Sequence, residues 1–318
     1  MPLDHVNVYL IEGEKGNMLI DAGWYTPEAL SILEEELRKN GFTLKDITQI
    51  VVTHLHPDHY GMAGKIREIS GAKIALSAIE TSMLDLRYIN YDVLIREMLR
   101  FFRTNGVPKE ELPQLSEASL PAREFVIPTT PQIKLKDKQK LSVDPFQFKA
   151  ILTPGHSPGH ICLYEPNRKL LFSGDHVLPQ ITPNVGLHPQ SGENPLGDFV
   201  NSLNSLMNLD VSFIFPGHGP VFNGLKQRIE DLLYHHEQRK TAISDVLQGE
   251  MKTGYAVAEK IPWMTDFADT SSLQDMSFMD KRLAVMETLA HLQLLVAEGK
   301  AKKVIKNDTT FYQSIGYK

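Results

Sequence analysis

One apolar run constrains this chain more than any other stretch. Ile47–Thr53 (ITQIVVT) has the length and β-branched content of a buried strand, and it ends directly in HLHPDH. His54, His56, Asp58 and His59 therefore fall within six positions of a strand end. Alternation along an extended segment points His54 and His56 to the same side. Asp58 and His59 follow where the chain turns toward a helix. Imidazole and carboxylate together suit zinc and other first-row divalent ions. A polar loop after a strand is the plain alternative, and four donors so close together weigh against it.

Three later strand ends repeat the theme. Gln147–Leu152 leads into TPGHSPGH with His156, Lys169–Phe172 into SGDH with Asp175, and Val211–Phe215 into PGHGP with His218. Each donor sits beside glycine or proline, so each belongs to a tight turn at the edge of a sheet. Alone, each would pass as a polar turn.

The remaining pattern supplies a frame. Val6–Ile11 and Asn17–Ile20 read as a hairpin, Thr26–Lys39 as a helix, Tyr60–Ser70 as a second helix, and Lys73–Leu76 as a strand. Residues from about 80 to 130 read as a helical insertion. In it Ile95, Met98, Leu99 and Phe102 share one helical face, and Arg96, Arg100 and Arg103 share another. Ile161–Tyr164 and Lys169–Phe172 form a hairpin, and Asp198–Leu209 is a helix. From Leu225 strand signals vanish until residue 303. Leu225–Gln248, a segment starting at TGYAVAEKI, and Asp280–Glu298 read as helices, and AKKVIKNDTTFYQS as a hairpin around Asn307–Asp308. His235 and His236 lie mid-helix with no partners in sequence and read as surface residues.

These motifs, in this order, resemble the metallo-β-lactamase-fold hydrolase superfamily. The matching elements are LIDAG (Leu19–Gly23), THLHPDH (Thr53–His59), GHSPGH (Gly155–His160), SGDH (Ser173–His176) and PGHG (Pro216–Gly219). The helices and hairpin after residue 224 are similar to the winged helix carried by one group of that superfamily, which includes endoribonucleases and glyoxalase II-like hydrolases. The resemblance implies an α/β fold: a four-layer αββα sandwich over residues 1–224, then a helical, winged-helix-like module over 225–318. It also implies two metal ions, one on His54, His56 and His156, the other on Asp58, His59 and His218, with Asp175 bridging them. Zinc is the expected metal, with manganese or iron as the other candidates.

Asp175 stands where one branch of true β-lactamases has cysteine, so β-lactam hydrolysis is not the favoured activity. His56 separates the chain from flavodiiron relatives, which place glutamate there. It does not separate the chain from mononuclear iron dioxygenases of the same fold. Family members often have another strand before the VNVYLI equivalent. The start is read either as truncated or as having that strand replaced.

The chemistry follows from the ligands. Two cations about 3.5–4 Å apart can share a bridging hydroxide generated near neutral pH. Asp58 is the expected catalytic residue, orienting that nucleophile or accepting its proton. Asp21 is expected to hold a ligand in place or to cap the strand end. Tyr60, His160, His176 and His188 are candidates for supporting the ligands or lining a pocket, with plain packing as the alternative for each. Arg96, Arg100 and Arg103 are candidate contacts to an anionic substrate, with a solvated helix face as the alternative.

Composition narrows the partners. A net charge of −6 argues against general coating of nucleic acid. Residues 226–318 hold 13 Lys+Arg and 13 Asp+Glu, and only Lys300–Lys306 is locally basic. The single cysteine, Cys162, excludes an intramolecular disulfide and matches no ligand position. The opening MPLDHVNVYLIEGEKG lacks a signal-peptide pattern, and no stretch approaches the roughly 18 apolar residues of a membrane span. A cytoplasmic location with no membrane partner is the expectation, and a homodimer stays open. The expected function is a dinuclear metal-dependent hydrolase of a small ester, thioester or lactone. The alternatives are a phosphodiesterase acting on single-stranded RNA, a mononuclear iron dioxygenase, and a nucleic-acid-binding regulator without catalysis.

Overall fold

The computed structural model describes residues 5–265 and 268–315; residues 1–4, where the first expected domain begins, lie outside the described residues. Two five-stranded sheets dominate it. The first runs β1 (Tyr9–Ile11), β2 (Asn17–Ile20), β3 (Ile47–Val51), β4 (Lys73–Ser77), β5 (Ile133–Leu135). The second contains β6 (Lys140–Val143), β7 (Phe146–Leu152), β8 (Ile161–Glu165), β9 (Leu170–Gly174) and β10 (Phe213–Pro216), in consecutive order. β2, β3, β4 and β5 are parallel, and so are β9 and β10. Parallel pairs need crossover connections. The helix Pro27–Lys39 makes one of them, starting at Thr26, whose Oγ1 accepts from the Ala29 N–H at 3.0 Å.

Side-chain alternation builds the layers. Met18, Ile20, Val51 and Ala75 of the first sheet meet Phe148, Ala150, Leu163 and Phe172 of the second in the central core. The opposite faces carry Leu19, Ile50 and Ile74, covered by Leu37, Ile66 and Met83 from helices. Cys162, Leu171 and Ile214 of the second sheet are covered by Phe199, Leu203 and Leu232. This is the four-layer αββα sandwich, each sheet buried on both faces.

Strands β5 and β6 are absent from the sequence expectation. Each lies at the edge of its sheet, is short, and carries an exposed lysine (Lys134, Lys140). Charged, short edge strands discourage pairing with other chains, and the same property weakens their apolar signal. A third departure is the antiparallel pair Trp263–Thr265 and Ala268–Ser271, in a region where no strands were expected. The second expected helix begins at Ala63, after a separate turn at Pro57–Tyr60.

Four short helical segments (Ala78–Tyr88, Tyr91–Thr104, Leu112–Glu117, Leu120–Phe125) form the insertion. It shares a core with the C-terminal helices: Met98, Phe102 and Leu115 pack in one cluster with Tyr255, Val285 and Leu289. The terminal hairpin, Ala301–Lys306 with Thr309–Ser314, turns at Asn307 and Asp308. Both have positive φ (48° and 62°), as a two-residue type I′ turn requires. His235 is exposed as expected, but His236 is buried and its Nδ1 lies 3.2 Å from His291 Nε2, a partner brought by the last long helix. No helix among the described residues is long and apolar enough to cross a membrane.

This packing has two measurable consequences. Phe102→Ala removes a fully buried ring from the core shared by the insertion and the C-terminal helices. It should cost about 3–5 kcal/mol in urea unfolding, and an unchanged midpoint would disprove the shared core. Cys162 is fully buried, and burial pushes its thiol up to about 12. Native protein at pH 8 should leave it unmodified by a disulfide-exchange reagent, and urea should expose it.

Candidate metal centre

Strand direction brings the donors together. β2, β3 and β4 end at one edge of the first sheet, and β7, β9 and β10 at one edge of the second. The turns after them carry Asp21, the His54–His59 cluster, His156, Asp175 and His218. His54, His56, His156 and Asp175 offer donor atoms within 4.8 Å of one another, and Asp58, His59 and His218 form a second such group.

In the first group His54 Nε2 lies 2.8 Å from His56 Nδ1, and His156 Nε2 lies 3.2 and 3.0 Å from the same two atoms. In the second, His218 Nε2 is 3.2 Å and His59 Nε2 3.7 Å from Asp58 Oδ2. Asp175 joins them. Its Oδ2 is 3.5 Å from His156 Nε2, while its Oδ1 is 3.3 Å from His59 Nε2 and 3.5 Å from His218 Nε2. Gly217 makes room for this: a side chain there would meet Asp175 Oδ1 at 2.3 Å.

Outer hydrogen bonds fix which nitrogen is bare in four of the five imidazoles. His156 Nδ1 donates to the Asn184 carbonyl at 2.8 Å and His218 Nδ1 to the His5 carbonyl at 2.6 Å. A carbonyl only accepts, so both Nε2 atoms keep a free lone pair. His59 Nδ1 donates to Asp21 Oδ2 at 2.8 Å. Asp21 also accepts from Thr53 N at 2.7 Å and Thr53 Oγ1 at 3.0 Å, and Thr53 Oγ1 accepts from His54 Nδ1 at 3.0 Å. Asp21 holds this post with φ of 61°, a left-handed conformation unusual outside glycine.

The donors fit divalent cations. His59 Nε2, Asp175 Oδ1 and His218 Nε2 are buried with no hydrogen-bond partner, an expensive state that a cation between the groups would relieve. Electrostatics agree. Burial and the neighbouring imidazoles hold His54 and His56 well below the ordinary histidine range, hence neutral and able to donate lone pairs. Burial also pushes His59 down, but Asp175, Asp58 and Asp21 outweigh it and hold the ring well above its usual range, so positive charge is favoured there. Burial pushes Asp175 up, and His59 and His218 overcome it and hold the carboxyl well below.

The other expected site residues separate cleanly. Asp21 supports His59. His160 Nε2 accepts from the Asp175 N–H at 3.1 Å, which orients that residue. His176 packs 4.7 Å from the Phe199 ring, with neither nitrogen bonded. Tyr60 is fully buried; its hydroxyl donates to the Thr129 carbonyl at 2.6 Å and accepts from Thr129 N at 2.8 Å. This is the packing alternative for Tyr60. His188 lines a cavity of about 600 Å³ that opens on the donors. Arg96, Arg100 and Arg103 do not line it: all three are exposed, and Arg103 pairs with Asp308 at 2.7 Å. The cavity wall is instead the apolar face of that helix, Leu94, Ile95 and Met98.

Glu80 is absent from the sequence reading. It is fully buried, accepting from Leu55 N at 2.9 Å, Ser157 Oγ at 2.5 Å and Gly159 N at 2.8 Å. It thereby ties the loop after β3 to the loop after β7, one from each sheet. Its local signal, Ser77-Ala-Ile-Glu80, is that of a helix capping box, and Ser77 does cap the helix. Glu80→Gln sets an amide N–H₂ against donors. It should weaken metal binding about 10- to 100-fold in competition with a chromophoric chelator while circular dichroism stays unchanged. Unchanged affinity would refute the tie.

Comparison with known proteins agrees with this geometry. The model of the metallo-beta-lactamase superfamily matches residues 1–218. A probable metallo-hydrolase of Bacillus subtilis, YqjP, is 25% identical over 98% of this chain and 93% of its own. The crystal structure of metallo-beta-lactamase family protein TTHA1429 from Thermus thermophilus superposes with a TM-score of 0.82 at 30% identity, covering 99% of this chain and 95% of that one. A beta-lactamase domain protein from Burkholderia ambifaria has the same fold, with a TM-score of 0.82 at 22% identity over 99% of this chain and 89% of its own. Motif order, sandwich and converging donors thus have one explanation: this chain belongs to the metallo-beta-lactamase superfamily and is a metal-dependent hydrolase.

Proposed function

We propose that the chain is a dinuclear, zinc-dependent hydrolase of small acyl substrates: esters, thioesters or lactones. The observation that carries this reading is the cavity. It holds about 600 Å³, and the metal-binding donors His56, Asp58, His156, Asp175 and His218 form one side of it. Leu94, Ile95 and Met98 from the insertion and Leu283 and Met286 from the last long helix form the other. Such a chamber suits a small molecule with an apolar body. A nuclease needs an extended basic surface for phosphates. The exposed Lys302, Lys303 and Lys306 lie on the terminal hairpin and do not border the cavity.

His54, His56 and His156 would hold one cation and Asp58, His59 and His218 the other, with Asp175 offering one oxygen to each. When bound, the ions would supply Lewis acidity and lower the pKa of a bound water toward neutrality. Asp58 borders the cavity and its side chain keeps 15% exposure. It is the group placed to orient the attacking water and take its proton. The aliphatic wall shields the acyl carbon from bulk water and aligns the chain.

Elemental analysis of purified protein should find close to two zinc ions per chain, and p-nitrophenyl butyrate should be hydrolysed. Asp175→Ala should lose metal and at least ~100-fold of turnover together. Full turnover in that variant would refute the bridging role, and one iron per chain would favour an iron dioxygenase. Salt-sensitive binding of single-stranded RNA, abolished by neutralising Lys302, Lys303 and Lys306, would replace the acyl reading with a nuclease.

A further inference from the structure

Besides the metal-binding donors, the cavity is lined by a second set of polar side chains. Arg87, in the last turn of the helix Ala78–Tyr88, and Arg282, in the first turns of the helix Phe278–Ala297, both line it, together with His188 and Gln190. Arg282 is 8% exposed. Its Nη1 donates to the Leu115 and Ser116 carbonyls at 2.7 and 3.2 Å, which anchors the guanidinium and leaves its other nitrogens without an acceptor among the described residues. Arg87 spends only Nε, on Gln190 Oε1 at 3.3 Å. Among the described residues, neither arginine pairs with a carboxylate.

Donors outnumber acceptors throughout this set. Gln190 Nε2 and Arg123 Nε are buried with no partner. His188 Nδ1 accepts from the Gln190 N–H at 3.2 Å, so the ring's proton sits on Nε2. The one acidic lining residue here, Asp280, accepts from Ser277 Oγ at 2.7 Å at the helix N-terminus. The two arginines also repel each other: burial and then Arg87 depress Arg282 to about 10. Two cations lining one enclosure, with spare donors and no carboxylate paired to either among the described residues, are costly unless the missing partner is an anion.

We propose that Arg87 and Arg282, aided by the side chains of Gln190 and His188, form an oxyanion-binding subsite, and that the substrate is an acyl compound whose far end carries a carboxylate or phosphate. The metal-binding donors take the scissile group, the aliphatic wall takes the chain, and the arginines take the charged end. The substrate assignment rests on the acyl-hydrolase reading above; the anion subsite does not.

Two measurements separate them. The metal-loaded protein is assayed with mono-p-nitrophenyl glutarate, which ends in a carboxylate, and with p-nitrophenyl pentanoate, a neutral ester of equal chain length. Wild type should favour the glutarate ester in kcat/KM by about tenfold or more, and Arg87→Ala should reduce that ratio about tenfold. Arg282→Lys, which keeps a cation and a donor for the Leu115 and Ser116 carbonyls, should lower it less, and Arg96→Ala on the exposed face should leave it unchanged. A wild-type ratio near one, or a ratio unmoved by Arg87→Ala, overturns the substrate assignment. Calorimetric binding of glutarate and of inorganic phosphate needs no turnover. Arg87-dependent binding of either supports the subsite, the tighter one naming the charged group, even if neither ester is hydrolysed and the acyl reading fails. Equal affinity in wild type and Arg87→Ala for both anions overturns the subsite.

Discussion

Everything in this molecule is arranged around a repulsion. Five imidazoles and two carboxylates point their donor atoms at two small volumes. Bare ring nitrogens at 2.8–3.2 Å from one another cannot satisfy each other, and several of the donor atoms have no other partner. A protein keeps such groups in register only when the backbone beneath them is stiff. Two fully covered sheets, with strands ending at a common edge, supply that stiffness, and divalent cations supply the attraction that the side chains lack.

The supports around the donors share one logic. Four of the five imidazoles spend one nitrogen outward so that the other is bare: His59 on Asp21, His54 on Thr53, His156 on the Asn184 carbonyl, His218 on the His5 carbonyl. Asp21 and Glu80 also hold the loops that carry the donors. Asp21 ties the end of β2 to the start of the His54–His59 cluster, and Glu80 ties that cluster to the loop carrying His156. The two sheets are therefore locked together at the edge where the donors meet.

Specificity lies in other parts of the chain. The insertion and the last long helix are far apart in sequence, yet they share a core and together form one wall of the cavity. The expected anion contacts, Arg96, Arg100 and Arg103, sit on the outer face of the insertion helix. The helical period that aligned them also placed them opposite the apolar stripe, which is the face that packs inward. The cationic side chains that do reach the cavity, Arg87, Arg123 and Arg282, come from three different segments, and no spacing in the sequence links them.

The sequence by itself determined the strand-end donors and the order of the motifs, because chelation and β-alternation are local and leave periodic traces. His54, His56, Asp58 and His59 are legible within one hexapeptide, and His156, Asp175 and His218 each follow an apolar strand. Only tertiary structure decided how Asp175 faces both groups, that Glu80 clamps two loops instead of closing its own capping box, that His236 is buried against His291, and which arginines face the cavity. Those outcomes depend on side chains from distant segments meeting in space. Edge strands β5 and β6 are hidden in the sequence for a different reason: at three and four residues, each with an exposed lysine, they are too short for an apolar pattern to stand out.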